Sequence, residues 1–283
     1  MRSMKPDNEL SVKKIKIPTA EGSICALVLS PKKPVQNAPG LLWLHGGGYI
    51  AGMKEMVHMS RAVDLVKRYG AVVVSPGYRL AFQKPFPAAV NDCYSALLYV
   101  KEHAKELGIR SDQIMVGGES AGGGLCAAVC MMARDFGTVH VAFQFPLYPM
   151  LDDRDTETSR NNHGRIWNTR RNHFAWNIYL RSLKSPKNRT VSCYAAPARA
   201  TDFSDLPPAY TFVGDGEPFY AETVRYIREL KQCGIPAKLD VYHTNMHAFD
   251  MMRPNEPLSR KAAERFNRVF AYVKDHFFAE QSD

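Results

Sequence analysis

Apolar and polar positions follow two patterns along this chain, one typical of strands and one typical of helices. In residues 12–18 and 23–29 apolar and polar side chains alternate, and a turn at residues 20–22 separates the two segments, so an antiparallel strand pair is predicted. From about residue 40 onward, short uninterrupted apolar runs replace this alternation. These runs are residues 41–44, 72–75, 114–116, 141–145 and 210–213. Strands that are buried on both faces of a parallel sheet have this pattern.

Between these runs the apolar residues recur at helical spacing. Helices are predicted at residues 90–107, 121–133, 224–230 and 262–277, and Gly234 with Pro236 ends the third of them. Residues 237–241 predict one more strand before the last helix. Because strands and helices alternate from residue 40 onward, we predict a single α/β domain over residues 1–283. Its sheet is mostly parallel and doubly wound, with helices on both faces.

Residues 151–205 interrupt the alternation. The segment is polar, rich in Arg and Asn, and too long for a plain connection between two elements. It nevertheless contains Trp167 and Trp176, and the second lies in a dense apolar cluster at residues 174–180. We therefore predict an inserted helical cap over a functional site rather than a disordered loop.

Composition narrows the class of protein. Of the 283 residues, 45% are hydrophobic and 23% are charged, which is ordinary for a globular protein. No apolar run is long enough to span a membrane, and the first ten residues lack the apolar core of a secretory signal, so we expect a cytoplasmic protein with no membrane partner. The net charge of +9 comes from scattered basic residues, so no nucleic-acid site is expected. The six cysteines suggest neither zinc nor a disulfide framework, although Cys126 and Cys130 lie one helical turn apart.

A serine in the frame G-x-S-x-G, Ser120 between Gly118 and Gly122, separates a predicted strand from a predicted helix. A serine hydroxyl is a weak nucleophile that needs exposure, a base and a stabilised oxyanion. A sharp strand-to-helix turn provides the exposure and requires small residues at the two framing positions. The helix that follows also directs its free N–H groups and its positive dipole end toward the serine. A glycine-rich turn without chemistry has the same letters, but this context favours a nucleophile.

A second glycine-rich segment, His45 followed by Gly46, Gly47 and Gly48, ends the strand predicted at residues 41–44. Successive glycines let backbone N–H groups approach a substrate closely, and such donors stabilise an oxyanion. A flexible turn or a phosphate-binding loop is the alternative. No G-K-[ST] follows the glycines, and no G-x-G-x-x-G with a following acidic residue is present, so the support for nucleotide binding is weak. We expect His45 to brace this loop rather than to transfer protons.

A base and an orienting carboxylate are expected downstream of the serine, in the order serine, acid, histidine. His247 lies in a segment between the strand predicted at 237–241 and the last helix, where a loop can reach the site, whereas His243 lies at the strand end itself. We therefore predict His247 as the base. Asp215 and Glu217 both follow the strand predicted at 210–213, and by position either carboxylate could accept the imidazole N–H.

Taken together, these motifs resemble the hormone-sensitive-lipase-like branch of the α/β-hydrolase esterases, and the likeness covers most of the chain from about residue 40. The supporting segments are residues 45–49 (His-Gly-Gly-Gly-Tyr), 78–81 (Tyr-Arg-Leu-Ala), 86–89 (Phe-Pro-Ala-Ala), 118–122 (Gly-Glu-Ser-Ala-Gly), 206–208 (Leu-Pro-Pro) and 247–249 (His-Ala-Phe). The resemblance implies an α/β-hydrolase fold in which Ser120 is the nucleophile and His247 the base. It also implies that the N–H groups of Gly47, Gly48 and Ala121 form an oxyanion hole.

The resemblance also bears on the acid. In this family the acid normally precedes a proline, which selects Glu217, before Pro218, over Asp215. The family usually has Asp at that position, commonly Asp where this chain has Glu119, and usually Gly where it has Ala248. The N-terminal cap typical of the family is nearly absent, which implies a more open pocket supplied mainly by residues 151–205.

We therefore predict a serine carboxylesterase that hydrolyses short-chain acyl esters through an acyl-enzyme. Because this chemistry requires only positioning and electrostatics, no metal or organic cofactor is expected. Two alternatives stay open: an amide- or peptide-type serine hydrolase, such as an acyl-peptide or formamide hydrolase, and a non-catalytic ligand-binding protein on the same fold. The expected partner is a small-molecule acyl ester, and the sequence leaves the oligomeric state open, a homodimer included.

Overall fold

The computed structural model describes residues 3–33, 35–183 and 190–281. Within these residues eight strands form one sheet, in the order β1-β2-β4-β3-β5-β6-β7-β8. The strands are β1 (Leu10–Thr19), β2 (Gly22–Pro31), β3 (Ala38–Leu44), β4 (Val72–Pro76), β5 (Ile109–Glu119), β6 (Phe143–Leu147), β7 (Ala209–Gly214) and β8 (Ala237–Tyr242). Strand β2 pairs antiparallel with β1 and β4, and the pairs from β4 to β8 are parallel. The mostly parallel α/β sheet is confirmed.

Helices fill the connections between the strands. They are α1 (Ala62–Tyr69), α2 (Ala88–Glu102), α3 (Ala104–Leu107), α4 (Ala121–Phe136), α5 (Thr169–Tyr179), α6 (Tyr220–Gln232), α7 (Phe249–Met252) and α8 (Pro257–His276). A 3₁₀-helix at Lys54–Met59 precedes α1, and a second one lies at Pro197–Arg199. The helix predicted at residues 90–107 is two helices, because the backbone leaves the helical region at His103. In the described ranges no helix is long and apolar enough to cross a membrane.

The core lies on both faces of the sheet. Strand β3 is buried along its whole length, and its side chains alternate between two apolar layers: Leu42 and Leu44 face one layer, and Leu41 and Trp43 the other. Helices α2 and α4 pack on the first face, and α1 and α8 on the second. A strand that must bury both faces has no polar positions, which is why β3 reads as an uninterrupted apolar run.

The segment from residue 151 to 205 contains α5 and the shorter 3₁₀-helix, and aromatic contacts join it to the core. The ring of Tyr179 stacks on Tyr49 at 4.1 Å between centroids, and Trp176 lies 5.3 Å from the same ring. Both α5 side chains are buried, whereas Phe174 is half exposed. Residues 184–189 of the predicted cap lie outside the described residues.

A buried ion pair joins α1 to α7. Arg61, at the N-terminus of α1, places its Nε 3.0 Å from Oδ2 of Asp250 in α7, and the two side chains are 1% and 0% exposed. The guanidinium also donates to the Asp250 carbonyl and to the Asp64 carboxylate, while Tyr148 donates its hydroxyl to Oδ1 of Asp250 at 3.0 Å. Because both charges are removed from water, each depends on the other.

Replacing one member of this pair is expected to be costly. Arg61→Met should lower the free energy of unfolding by about 3–5 kcal/mol, because it leaves the Asp250 carboxylate buried without its cation. Urea unfolding followed by circular dichroism measures the loss. Arg265→Met is the matched control, since Arg265 pairs with Asp240 at the partly exposed surface and its removal should cost less than about 1 kcal/mol.

The double variant Arg61→Met/Asp250→Leu removes both charges and should be more stable than Arg61→Met alone. If it instead lost the sum of the two single effects, Arg61 and Asp250 would not act as a pair.

Candidate active site

The turn between β5 and α4 holds Ser120 in a backbone conformation that is rare for a residue with a side chain. Its φ is 58° and its ψ is −120°. The Ser120 N–H donates to the Leu147 carbonyl at 3.0 Å, and the Ser120 carbonyl accepts the N–H groups of Gly124 and Met150, each at 3.0 Å. Hydrogen bonds from β6, from α4 and from the loop after β6 therefore hold the turn and present its hydroxyl at the carboxyl end of β5.

Gly118 and Gly122, one on each side of Ser120, allow β3 to pack directly against this turn. A Cβ atom at Gly122 would lie 2.0 Å from the carbonyl oxygen of Leu44, the last residue of β3. A Cβ atom at Gly118 would lie 2.5 Å from the Gly122 carbonyl and 2.6 Å from that of Leu44. No side chain fits at either position without moving backbone, which is the physical reason for the G-x-S-x-G frame at this turn.

A hydrogen-bonded series connects three of the predicted site residues. Ser120 Oγ lies 2.8 Å from Nε2 of His247, and Nδ1 of His247 contacts Oε2 of Glu217. The other carboxylate oxygen, Oε1, accepts the N–H of Gly214 at 2.9 Å. All three side chains are buried, and Glu217 is fully so. The structure thus brings together a hydroxyl, an imidazole and a carboxylate from three different loops.

Aromatic rings fix the plane of the His247 imidazole. Tyr148 and Phe219 both meet it edge to face, with centroid distances of 5.3 and 5.0 Å. The next residue, Ala248, has a φ of 55°, the left-handed conformation that glycine adopts most readily. Alanine here accepts the backbone geometry for which the family usually has glycine.

Asp215 and His243, the two alternatives to Glu217 and His247, contact each other instead of the buried series. Nδ1 of His243 lies 2.8 Å from Oδ2 of Asp215, and the His243 side chain is almost fully exposed. The hydrogen bond from His243 lowers the pKa of the Asp215 carboxyl. Asp215 also accepts the N–H of Thr244 at 3.1 Å. This pair ties the end of β7 to the loop after β8 at the protein surface.

The glycine loop after β3 passes close to Ser120. A Cβ atom at Gly46 would lie 3.3 Å from Cβ of Ser120. Gly47 has a φ of 120°, and a Cβ atom on Gly48 would lie 2.3 Å from the ring of Trp167. Within the described residues, the N–H groups of Gly47, Gly48 and Ala121 make no hydrogen bond to a protein acceptor. Gly47 and Gly48 line the same cavity as Ser120, and Ala121 is the next residue after the serine.

His45 holds the start of this loop through contacts with Tyr78 and Gly46. Its carbonyl accepts the Tyr78 hydroxyl at 2.7 Å, and its ring stacks on Tyr78 with 4.1 Å between centroids. Nδ1 lies 2.8 Å from the carbonyl oxygen of Gly46. Burial lowers the pKa of His45 to about 4, so the ring is neutral at physiological pH. These contacts place His45 in a bracing position.

Glu119 is the site residue whose environment the sequence motifs did not indicate. Its carboxyl group is buried and accepts Nε1–H of Trp43, which lies 3.0 Å from both oxygens. Burial, with a smaller contribution from the nearby Asp250, raises its pKa to about 8, while Arg61 acts in the opposite direction. The carboxyl is therefore protonated at neutral pH. Trp43 was the available signal, because an indole in a buried strand requires an acceptor for its N–H.

A cavity of about 430 Å³ adjoins Ser120 and His247. The glycine loop and Trp167 form part of its wall, and most of the remaining wall is apolar. In the parts of the chain that the structure describes, no group of three or more His, Cys, Asp or Glu side chains is placed to hold a metal ion. The arrangement can activate a hydroxyl, hold an anion on backbone N–H groups and accept an uncharged group in the cavity. Such a combination on this sheet defines an α/β hydrolase.

Comparisons with known proteins agree with this class. A family model described as the alpha/beta hydrolase fold matches residues 41–251. Esterase LipI of Mycobacterium tuberculosis is 30% identical over 236 residues, which cover 81% of this chain and 71% of LipI. Ethyl acetate hydrolase of Pseudomonas putida is 29% identical, covering 78% of this chain and 70% of that protein. The solved structure of a bacterial heroin esterase superposes with a TM-score of 0.89 at 34% identity, covering 94% of this chain and 85% of that one.

The chain belongs to this α/β-hydrolase family, the hormone-sensitive-lipase-like esterases that its motifs resemble.

The protonated state of Glu119 predicts a pH dependence of stability. Its folded pKa of about 8 lies above the ordinary value of 4.5, so the stability that it contributes is complete below pH 4.5 and is lost as the pH rises through 8. Between about pH 5 and 8 the free energy of unfolding should therefore fall further in the wild type than in Glu119→Gln, whose amide does not titrate. Urea unfolding at half-unit pH steps measures this difference. Equal slopes for the two proteins would mean that Glu119 is ionised in the folded state.

Proposed function

We propose that this chain is a carboxylesterase in which Ser120 is the nucleophile, His247 the general base and Glu217 the orienting acid. The observation that carries the proposal is the unbroken hydrogen-bonded series from Ser120 Oγ through the imidazole to the Glu217 carboxylate. Asp215 has no part in it, because its carboxylate is bound to His243.

The proposed reaction moves one proton back and forth at Nε2 of His247. The imidazole accepts the Ser120 hydroxyl proton as Oγ attacks the ester carbonyl carbon, and it then protonates the departing alkoxide, which leaves as the alcohol. Water repeats the sequence on the acyl-enzyme and releases the acid. Glu217 accepts the N–H of Nδ1, which keeps the free electron pair on Nε2 and stabilises the imidazolium that forms. The fixed ring plane of His247 keeps both contacts aligned.

We assign the oxyanion hole to the N–H groups of Gly47, Gly48 and Ala121. Two observations support this assignment. The glycine loop lies close to Ser120, and the three N–H groups have no acceptor among the described residues. Ala121 also begins α4, so the positive end of the helix dipole lies at the same point. Loss of one such donor typically costs about 3–4 kcal/mol of transition-state stabilisation. A protonated Glu119 adds no negative charge next to the developing oxyanion.

Short-chain acyl esters of small alcohols are the proposed substrates. The relatives named above are esterases, and one of them is named for ethyl acetate, a small ester. We further propose that residues 151–205 act as a cap, since Trp167 from this segment packs directly on Gly48 of the glycine loop.

Covalent labelling tests the nucleophile. A fluorophosphonate probe is expected to add a single phosphonyl group to the wild type, because the Ser120 hydroxyl is the one that a buried imidazole activates. Intact-protein mass spectrometry with peptide mapping locates the adduct. Ser120→Ala should remain unlabelled, and a folded wild-type protein without an adduct on Ser120 would contradict the proposed function.

Two isosteric variants test the acid. Glu217→Gln should lower kcat on a short p-nitrophenyl ester by about 10³–10⁴-fold, because an amide at this position no longer holds the required imidazole tautomer. Asp215→Asn is the matched control and should stay near the wild type, since its partner His243 is exposed. The opposite result, an active Glu217→Gln and an inactive Asp215→Asn, would transfer the role to Asp215.

A further inference from the structure

Methionine is the most frequent residue in the wall of the cavity beside Ser120. Six of the chain's twelve methionines line it, namely Met4, Met53, Met56, Met59, Met251 and Met252. Leucine and valine are the most numerous large side chains in the core, but leucine, isoleucine and valine together contribute one residue, Ile166, to this wall. The cavity therefore differs in chemistry from the apolar interior around it.

The local backbone explains why these methionines meet. Met53, Met56 and Met59 are three residues apart, and the last two belong to the 3₁₀-helix Lys54–Met59. A 3₁₀-helix has 3.0 residues per turn, so side chains at this spacing lie on one face. Met251 and Met252 come from α7, the helix that begins directly after the His247 turn. Two separate elements thus present thioethers to the same space.

A rigid aromatic ring completes the wall. The ring of Trp167 packs against Gly48 so closely that a Cβ atom there would lie 2.3 Å away. Its indole N–H donates to Oδ1 of Asn172 at 3.2 Å, which fixes the ring orientation. A bound group would therefore contact one fixed aromatic face and several adaptable thioether side chains.

This combination has a chemical preference. A methionine side chain adapts to irregular shapes, and its polarizable sulfur gains from contact with the edge of an aromatic ring, which a leucine methyl group does not. The fixed indole adds offset or edge-to-face ring packing. The ionisable side chains among the lining residues are those of His247, Tyr148 and Glu119. Each of the three already has a protein partner: Glu119 accepts from Trp43, Tyr148 donates to Asp250, and His247 contacts Glu217. The wall therefore offers no unpaired charged side chain to a charged substrate group.

We infer that this cavity receives an uncharged aromatic ring carried by the ester, on its acyl or its alcohol side. The inference rests on the proposed function for the ester chemistry and adds the class of group that is recognised. At about 430 Å³ the cavity is within the range of small-molecule sites and accommodates one six-membered ring with its linking atoms.

Two matched ester pairs test the inference. Benzyl acetate is compared with cyclohexylmethyl acetate for the alcohol side, and ethyl phenylacetate with ethyl cyclohexylacetate for the acyl side. Within each pair the two esters carry a ring of the same carbon number and comparable reactivity. In at least one pair, kcat/KM is expected to be about fivefold higher for the aromatic ester, as a few sulfur–aromatic contacts would give. That pair identifies the side of the ester that the cavity binds.

The double variant Met53→Leu/Met56→Leu assigns the preference to the methionines. Met53 is exposed and Met56 is half-buried, and the change nearly conserves volume, so folding should be retained. The preference should fall below about twofold, because the variant loses more kcat/KM on the aromatic esters than on the cyclohexyl esters. Met132→Leu, in α4 and away from the cavity, is the matched control and should keep the full preference. A preference that survives in the double variant would overturn the role assigned to Met53 and Met56.

The remaining outcomes separate this inference from the proposed function. Equal rates within both pairs would overturn the inference alone, because ester hydrolysis would still be observed. If no ester is hydrolysed, the proposed function fails, and calorimetric binding of benzyl acetate and cyclohexylmethyl acetate to Ser120→Ala decides the inference instead. Tighter binding of the aromatic ester would support it, and equal binding would overturn it.

Discussion

The backbone contact between the end of β3 and the turn at Ser120 is the constraint on which the rest of the site depends. Gly118 and Gly122 let the Leu44 carbonyl oxygen pack against the turn, because a Cβ atom at either position would collide with that oxygen. This contact keeps the strained Ser120 backbone in place, and it sets the distance between the serine and the glycine loop that continues from β3. If this contact opened, the Ser120 hydroxyl would move away from the N–H groups of the glycine loop.

Behind this contact, buried polar groups connect the site to the stability of the fold. Trp43 in β3 donates a hydrogen bond to Glu119. Asp250 pairs with Arg61 and accepts the Tyr148 hydroxyl, and the ring of Tyr148 also contacts the imidazole of His247. Each of these groups would be costly to bury alone, and together they satisfy one another. Elements that are far apart in sequence are thereby fixed beneath one short turn.

Much of this architecture could be predicted from sequence because its signals are local. Buried parallel strands read as apolar runs, and the G-x-S-x-G frame marks a backbone approach that only glycine permits. Asp215 and Glu217 were indistinguishable by position because both follow β7, and their separation depends on which way two loop side chains turn. The helix pattern at residues 90–107 hid a break at His103, and α1 was missed because it spans only eight residues. The cavity methionines at positions 53, 56 and 59 could not be predicted, because a spacing of three residues is typical of neither an α-helix nor a strand.

The 3₁₀-helix at Lys54–Met59 makes the cavity more sensitive to an inserted or deleted residue in this segment than to a substitution. Exchanging one methionine for another apolar residue alters a single contact. Inserting or deleting one residue rotates every later side chain of this helix by about 120° relative to the cavity. An insertion just before Glu55 would bring that carboxylate to the position of Met56 and place a charge on an apolar wall. Among homologous chains, changes of one codon in this short segment would therefore alter substrate choice abruptly, while the Ser120 turn and its neighbours stayed the same.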